Sequence, residues 1–245
     1  MLALLHRNHI DSSDFFKRLE NERDLIYEQE ENWRHTATTA VYHHDIPTLK
    51  KIVQSIKDSD LPQDKKDQDA LEVEGMIETL RINYEDDYQP NLELQKKLRE
   101  RIFDIPNFTE LKLQLYCDFM DFYDLDANRA IVKQIIKETS NTVDNKIMVA
   151  VSAIINNFIS NSMSNNQYDG LDCYIEIVEK MPQIPELYLI KSNIAVHKYL
   201  IAYHFHKDEK YIDYCQKIAE SYQLTGMEDF GKSIEKFIEQ EKNKL

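Results

Sequence analysis

Glycine is scarce in this chain, four among 245 residues, and the scarcity excludes whole classes of site. A phosphate-cradling loop or a dinucleotide turn needs several glycines close together, so that backbone amides can approach the phosphates unobstructed. Neither can be assembled here. Basic residues are also short, 30 Lys and Arg against 44 Asp and Glu, for a formal net charge of −14. A surface of that sign repels phosphate, so the chain by itself is a poor candidate for binding nucleic acid. Cysteine is rare and odd in number: Cys117, Cys173 and Cys215 each lie in an apolar helical pattern. They read as small core residues in a reducing cytoplasm, not as a disulfide framework. No run reaches about eighteen uninterrupted apolar residues, and the opening MLALLHRNHID is too short in its apolar part for a signal peptide. The expectation is a soluble, cytoplasmic protein with no membrane contact.

Catalytic and metal motifs are lacking too. DLDANR from Asp124 begins like a calcium loop, but Arg129 replaces the required Gly and Ile135 stands where a bidentate Glu belongs. His6 and His9, His43 and His44, and His204 and His206 are pairs without Cys or carboxylate at zinc spacing. Glu28, Glu30 and Glu31 read as a solvated face. No cofactor, no metal and no enzyme are expected.

What is present favours helix. Leu, Ile, Lys, Glu and Gln abound and Pro occurs six times, which predicts an all-α fold. The most apolar long segment, Asn145 to Met163, is NKIMVAVSAIINNFISNSM, and its length suits a buried helix. Ser152, Asn156, Asn157, Ser160 and Asn161 nevertheless sit inside it, and Ser152, Asn156 and Ser160, spaced by four, share one face. A buried amide is costly unless donor and acceptor both find partners. Two readings stay open: neighbouring backbone satisfies these amides, or they form a ladder lining a groove, placed to pair with the backbone of an extended peptide.

Taken in order, the chain shows a rhythm. Met1 to Leu5 begin in mid-pattern with no N-cap, as the remnant of another helix spanning residues 1–11 would. A helix starts near Asp14, carries Phe15, Phe16 and Leu19, and continues with an interruption through Trp33 to about His44. Asp45 and Pro47 give a restart, and Leu49, Ile52, Val53 and Ile56 make an amphipathic stripe. A longer helix over about Asp67 to Tyr84 follows, then a stripe of Leu94, Leu98 and Ile102. LKLQLYCDFMDFYDL reads as one longer apolar helix, before a stripe of Ile131, Val132, Ile135 and Ile136. The Asn-rich helix is followed by a stripe from Leu171 to Met181, a long helix in ELYLIKSNIAVHKYLIAYHF, and a stripe from Tyr211 to Ala219. TGMEDFG then precedes a last helix carrying Phe230, Ile234, Phe237 and Ile238.

The second helices of successive pairs begin near residues 47, 91, 127, 168 and 208, a period of about forty, which signals a helical solenoid. The expected architecture is a right-handed superhelix of about five tetratricopeptide-like helix pairs plus a C-terminal cap helix, over residues 12–245. The longer first helices should line the inner surface, offering Asn156 together with Tyr116, Asp118, Phe119, Asp121, Tyr123, Tyr188, Ser192, Asn193 and His197. Asn156 and Asn193, midway along successive inner helices, could grip the main chain of one ligand. The plainer reading makes all of these core and interhelix contacts.

On these residues the chain resembles the Rgg/GadR/MutR family of transcription regulators from Gram-positive bacteria. LLHRNHIDSSDFF looks like the end of that family's helix-turn-helix domain, AVYHHDIPTLKKIVQSI like its first repeat turn, and ELKLQLYCDFMDFYDLD with NKIMVAVSAIINNFIS like its central repeats. The resemblance implies a regulatory and dimerisation domain whose DNA-binding domain is largely missing, with DNA contacted only through that missing part. It also implies a homodimer and, as in the pheromone-responsive members, binding of an imported short signalling peptide. The family's central-helix amide matches Asn156, give or take one position, while a second family amide and a nearby basic residue fall at about Tyr116 and Phe119. The candidate peptide-binding set is therefore Asn156, Asn157, Ser152, Ser160, Asn193, Tyr116, Phe119, Tyr123 and Tyr188. With Asp118 and Asp121 and no Arg, the inner surface suits a ligand bearing positive charge or a free amino terminus. Dimer contacts are expected in the C-terminal half, where Phe230, Phe237 and Ile238 offer apolar surface. Ligand binding would then stabilise one curvature and shift the absent DNA-binding heads. The alternative is a helical-repeat adaptor that binds a partner protein through its concave face and takes no part in transcription.

Overall fold

Side-chain caps cut this chain into helices. In the computed structural model, which describes residues 28–244, Asp45 accepts the Thr48 amide at 3.0 Å and its hydroxyl at 2.6 Å. Thr109, Asp124 and Asp144 cap three further helices by accepting the amides of Lys112, Ala127 and Lys146. Each such cap contributes about 1 kcal/mol, because it satisfies a backbone donor that the helix itself cannot. The helices are α1 (28–42), α2 (Ile46–Asp58), α3 (Gln63–Tyr84), α4 (Leu92–Asp104), α5 (Glu110–Asp118), α6 (Leu125–Thr139), α7 (Asn145–Ser164), α8 (Asp172–Lys180), α9 (Tyr188–His206), α10 (Lys210–Leu224) and α11 (Glu228–Asn243). Short 3-10 turns cover Met120–Phe122 and Pro185–Leu187. Among the described residues there is no strand, so the fold is all-α. The later helix of each expected pair starts at Ile46, Leu92, Leu125, Asp172 and Lys210, within four residues of the rhythm's positions. The 1–11 remnant, the helix start near Asp14 and the His6/His9 pair lie outside the described residues.

The chain forms two compact units, one reaching to Glu100 and one running from Arg101. In the first, Trp33 and Ala37 of α1 join Leu49, Ile52 and Ile56 of α2 and Val73, Ile77 and Leu80 of α3 in one apolar cluster. Helix α3 begins at Gln63 rather than near Asp67, directly behind Pro62, whose carbonyl accepts the amides of Lys65 and Lys66. A buried carboxylate fastens the α3–α4 connection: Glu78 accepts from the Tyr88 hydroxyl at 2.6 Å, the Asn91 amide at 2.6 Å and Gln95 Nε2 at 3.2 Å. These three donors replace the water it loses.

In the second unit α7 is central and packs on α5, α6, α8 and α9, while α10 packs on α9 and α11 on both α9 and α10. By length and composition α7 could cross a membrane. Here its apolar side is core: Ile154, Ile155, Phe158 and Ile159 are fully buried. Buried Ser152 and Ser162 turn their hydroxyls onto the Val149 and Phe158 carbonyls, the local bond by which serine sits in a helix without an unmet donor.

Three expectations need correcting. LKLQLYCDFMDFYDL is not one helix; α5 stops at Asp118, Phe119 leaves helical geometry, and a 3-10 turn follows. The reason is Asn128 of α6, wholly buried, which donates to the carbonyls of Met120 at 3.0 Å and Tyr123 at 3.4 Å and accepts from the Tyr116 hydroxyl at 2.7 Å. TGMEDFG is only half a break. Gly226 takes φ +85° in the turn, whereas Gly231 lies within α11, where a Cβ would meet the Ala219 carbonyl oxygen at 2.8 Å and Gln223 Cγ at 2.6 Å. Last, the expected C-terminal apolar surface is smaller than three residues: Ile238 is buried, whereas Phe230, edge-on to Tyr222, and Phe237, edge-on to His197, are half-buried.

Candidate functional site

The packing of α5 against α7 leaves a groove. On α5 the residues Glu110, Gln114, Cys117 and Asp118 recur at helical spacing and border a cavity of about 430 Å3. On α7 its floor is Val149, Ala150 and Ala153, with Asn145 and Lys146 at one end, and Glu186 enters from the 3-10 turn ahead of α9. Small side chains on the floor are what make it deep, since Ala150 and Ala153 leave room between backbones that larger residues would fill. The rim carries three carboxylates against one ammonium, and Lys146 already bridges Glu110 at 3.3 Å. The groove is therefore apolar below and acidic above.

The row along α7 that borders it is Asn145, Val149, Ala153, and the same four-residue step continues to Asn157. That is one position away from the expected row of Ser152, Asn156 and Ser160. Asn157 is exposed and donates to Cys117 Sγ at 3.4 Å, and Cys117 lines the cavity. Asn156 stands behind it, half-buried, donating to Asn157 Oδ1 at 3.3 Å while its own Oδ1 is buried without a partner. The cavity does not include Asn156. Burial, aided by the neighbouring Asp118, pushes the Cys117 thiol up to about 12, so it stays a neutral acceptor of the Asn157 amide.

The other candidates scatter. Ser152, Tyr116 and Phe119 are core residues, at 0%, 2% and 0% exposure, and no ligand on the α5–α7 face can touch them. Tyr116 is held by Asn128, and burial raises its phenol pKa. Ser160 is half-buried on the turn beyond Asn156. Tyr123 is half-buried and edge-on to Tyr116, with ring centroids 5.6 Å apart. Tyr188 is well exposed at the start of α9. Asn193 is half-buried and accepts from the Tyr222 hydroxyl at 3.0 Å, so its carbonyl serves the α9–α10 contact. Of the nine candidates, two bond to a residue of the cavity lining: Ser152, from within the core, through the Val149 carbonyl, and Asn157, from the exposed side, through the Cys117 side chain. Missed in the sequence were Glu110, Gln114, Val149, Ala150, Ala153 and Glu186; the steps of four through Glu110, Gln114 and Asp118 and through Asn145, Val149, Ala153 and Asn157 were signals for the two helices, and none marked Glu186.

Among the described residues no group of three or more His, Cys, Asp or Glu side chains could hold a metal ion. His43, His44, His204 and His206 each pack against an aromatic ring, His43 edge-on to Tyr42 and His204 stacked on Tyr168.

Solved structures of the same architecture exist. A crystal structure described as that of a transcriptional regulator from Listeria monocytogenes EGD-e superposes with a TM-score of 0.68 at 9% identity, over 86% of this chain and 74% of that one. The SHP pheromone receptor Rgg2 of Streptococcus dysgalactiae superposes with a TM-score of 0.64 at 12% identity, over 98% of this chain and 85% of that one. The chain shares its fold with a pheromone receptor. No protein-family profile matches it, and no curated protein sequence does. At such low identity the likeness is one of backbone architecture, and site residues are argued from this chain alone.

Proposed function

We propose that this chain is the ligand-sensing domain of a cytoplasmic bacterial transcription regulator, which acts as a homodimer and takes a short signalling peptide in the α5–α7 groove. DNA would be contacted through a separate N-terminal head, since a domain of net charge −14 does not suit that task. The observation that carries the reading is the groove itself: an apolar floor of Val149, Ala150 and Ala153 between two inner helices, open to an acidic rim. An extended peptide would set small apolar side chains on that floor, and Asn157 would pair with its backbone. Support for the regulatory and sensing role comes from the fold shared with a transcriptional regulator and a pheromone receptor. The rim favours a basic side chain or a free amino terminus, because Glu110, Asp118 and Glu186 outnumber Lys146.

The test uses two pools of labelled hexapeptides with identical apolar positions, one carrying Lys and Arg, the other Asp and Glu, read by fluorescence anisotropy. The basic pool should bind more tightly and lose that advantage at high salt, and Ala153→Phe, which fills the floor, should abolish binding while leaving the helical circular dichroism unchanged. Preference for the acidic pool, or binding indifferent to Ala153→Phe, would refute the assignment.

A further inference from the structure

Beyond the C-terminal end of α7 lies a second cavity, of about 420 Å3, within the roughly 300–1,000 Å3 of small-molecule pockets. It gathers parts of three successive hairpins: Arg129 from α6, Gln167, Tyr168 and Asp169 from the α7–α8 connection, and His204 and Phe205 from the last turn of α9. None of these belongs to the α5–α7 groove, so the inference stands apart from the peptide reading.

Arg129 is held in place without being neutralised. It donates to Gln167 Oε1 at 3.0 Å, and its guanidinium lies 5.5 Å from the centroid of the buried Phe158 ring. Among the described residues no carboxylate forms an ion pair with it, although Asp169 lines the same cavity. The two charges face a common space unbridged. Between them are aromatic rings: half-buried His204, backed by buried Tyr168 stacked on it at 3.8 Å, and the Phe205 ring, 55% exposed and edge-on to His204. One cation held by its back, one anion across a gap and aromatic faces beside them are complementary to a small flat zwitterion. A dianion such as phosphate would meet Asp169, and a simple cation would meet Arg129.

We propose that this cavity binds a free aromatic α-amino acid, with its carboxylate on Arg129, its ammonium toward Asp169 and its ring against Phe205 and the Tyr168–His204 stack. The planar guanidinium fork suits a carboxylate in two parallel bonds. The site is also wired to the end of the chain. The Tyr168 hydroxyl donates to Glu241 of α11 at 2.6 Å, and Lys244 Nζ donates both to Glu241 and to the Met163 carbonyl. A ring resting on Phe205 and His204, on which buried Tyr168 stacks, therefore steadies the tie between the α7–α8 connection and α11.

Calorimetry on the intact chain with L-phenylalanine, 3-phenylpropionate and phenethylamine separates the contributions. L-phenylalanine should bind saturably, and each analogue, lacking one charge, should bind about tenfold more weakly or worse, one such step being a single lost charge-assisted contact. Arg129→Gln should reduce L-phenylalanine to the level of phenethylamine, and the surface change Asp169→Asn should reduce it to the level of 3-phenylpropionate. Hydrogen exchange at the last turn of α11 should slow on binding. Absence of saturable binding by L-phenylalanine and L-tyrosine at millimolar concentration, equal affinity for the three compounds, or unchanged affinity in Asp169→Asn would overturn the proposal.

Discussion

Replacing Asn128 by Ala should cost this protein more than any substitution on its surface. The side chain is wholly buried and makes three hydrogen bonds, two donated to the Met120 and Tyr123 carbonyls and one accepted from the Tyr116 hydroxyl. Truncation strands that hydroxyl away from water, at about 1–3 kcal/mol for an orphaned group, takes one of two donors from the Met120 carbonyl, which keeps the Tyr123 amide at 3.1 Å, and leaves a small void besides. The expected loss is about 2–4 kcal/mol. Tyr116→Phe removes one donor and should cost about 1–2 kcal/mol. The double variant should cost less than the sum, since no hydroxyl remains to be orphaned, giving a coupling of about 1–2 kcal/mol. Urea unfolding followed by circular dichroism gives all four corners of the cycle. Because the bonds hold the break after α5, whose last turn supplies Cys117 and Asp118 to the groove, peptide affinity should fall as well. A loss under about 1 kcal/mol for Asn128→Ala, or strict additivity in the cycle, would mean that the amide does not hold the α5–α6 junction.

Other outcomes follow from the same structure. Burial lowers the pKa of His197 from 6.5 to about 4, so between those values the unfolded chain takes up a proton that the folded one refuses. Stability should be level above pH 6.5, fall by about 2 kcal/mol at pH 5 and about 3 kcal/mol by pH 4, and His197→Leu should flatten that part of the pH profile. Gly231→Ala adds about 1 kcal/mol of helix propensity but drives a Cβ to 2.8 Å from the Ala219 carbonyl oxygen; the net should be about 1–2 kcal/mol of destabilisation, read as a lower melting temperature. Burial pushes both Cys117 and Cys215 up to about 12 while Cys173 is exposed, so brief alkylation at pH 8 should label Cys173 alone, as mass spectrometry of the digested protein would show. Tyr168→Phe leaves buried Glu241 with one donor fewer and should speed hydrogen exchange in α11 ahead of the rest of the second unit.

Much of the architecture was written locally. The Asp45–Pro47 restart, the Asp124 and Asp144 caps and the apolar stripes of α2, α6, α8 and α10 depend on residues within a turn or two of one another, and helix starts came within a few residues of expectation. The scarcity of Gly and the excess of Glu and Asp bounded the chemistry in the same way. On α7 the expected row lay one residue away from the row that borders the groove. Asn156 and Asn157 differ by about 100° around α7, and both rows, Ser152–Asn156–Ser160 and Val149–Ala153–Asn157, have helical spacing.

Periodicity cannot choose between those rows, because both repeat every four residues; the choice is made by α5 and α9 pressing on α7 from particular sides. The same holds for Asn128, which ends one helix by reaching back from the next, and for Gly231, whose missing side chain matters only where α11 lies on Ala219. Composition, caps and turns settled that the chain is a stack of helices and where each begins, since those are contests between neighbours in sequence. Which side chains meet across the stack, and so where a cavity opens, was decided by contacts between residues far apart in the chain, whose energies no local pattern carries.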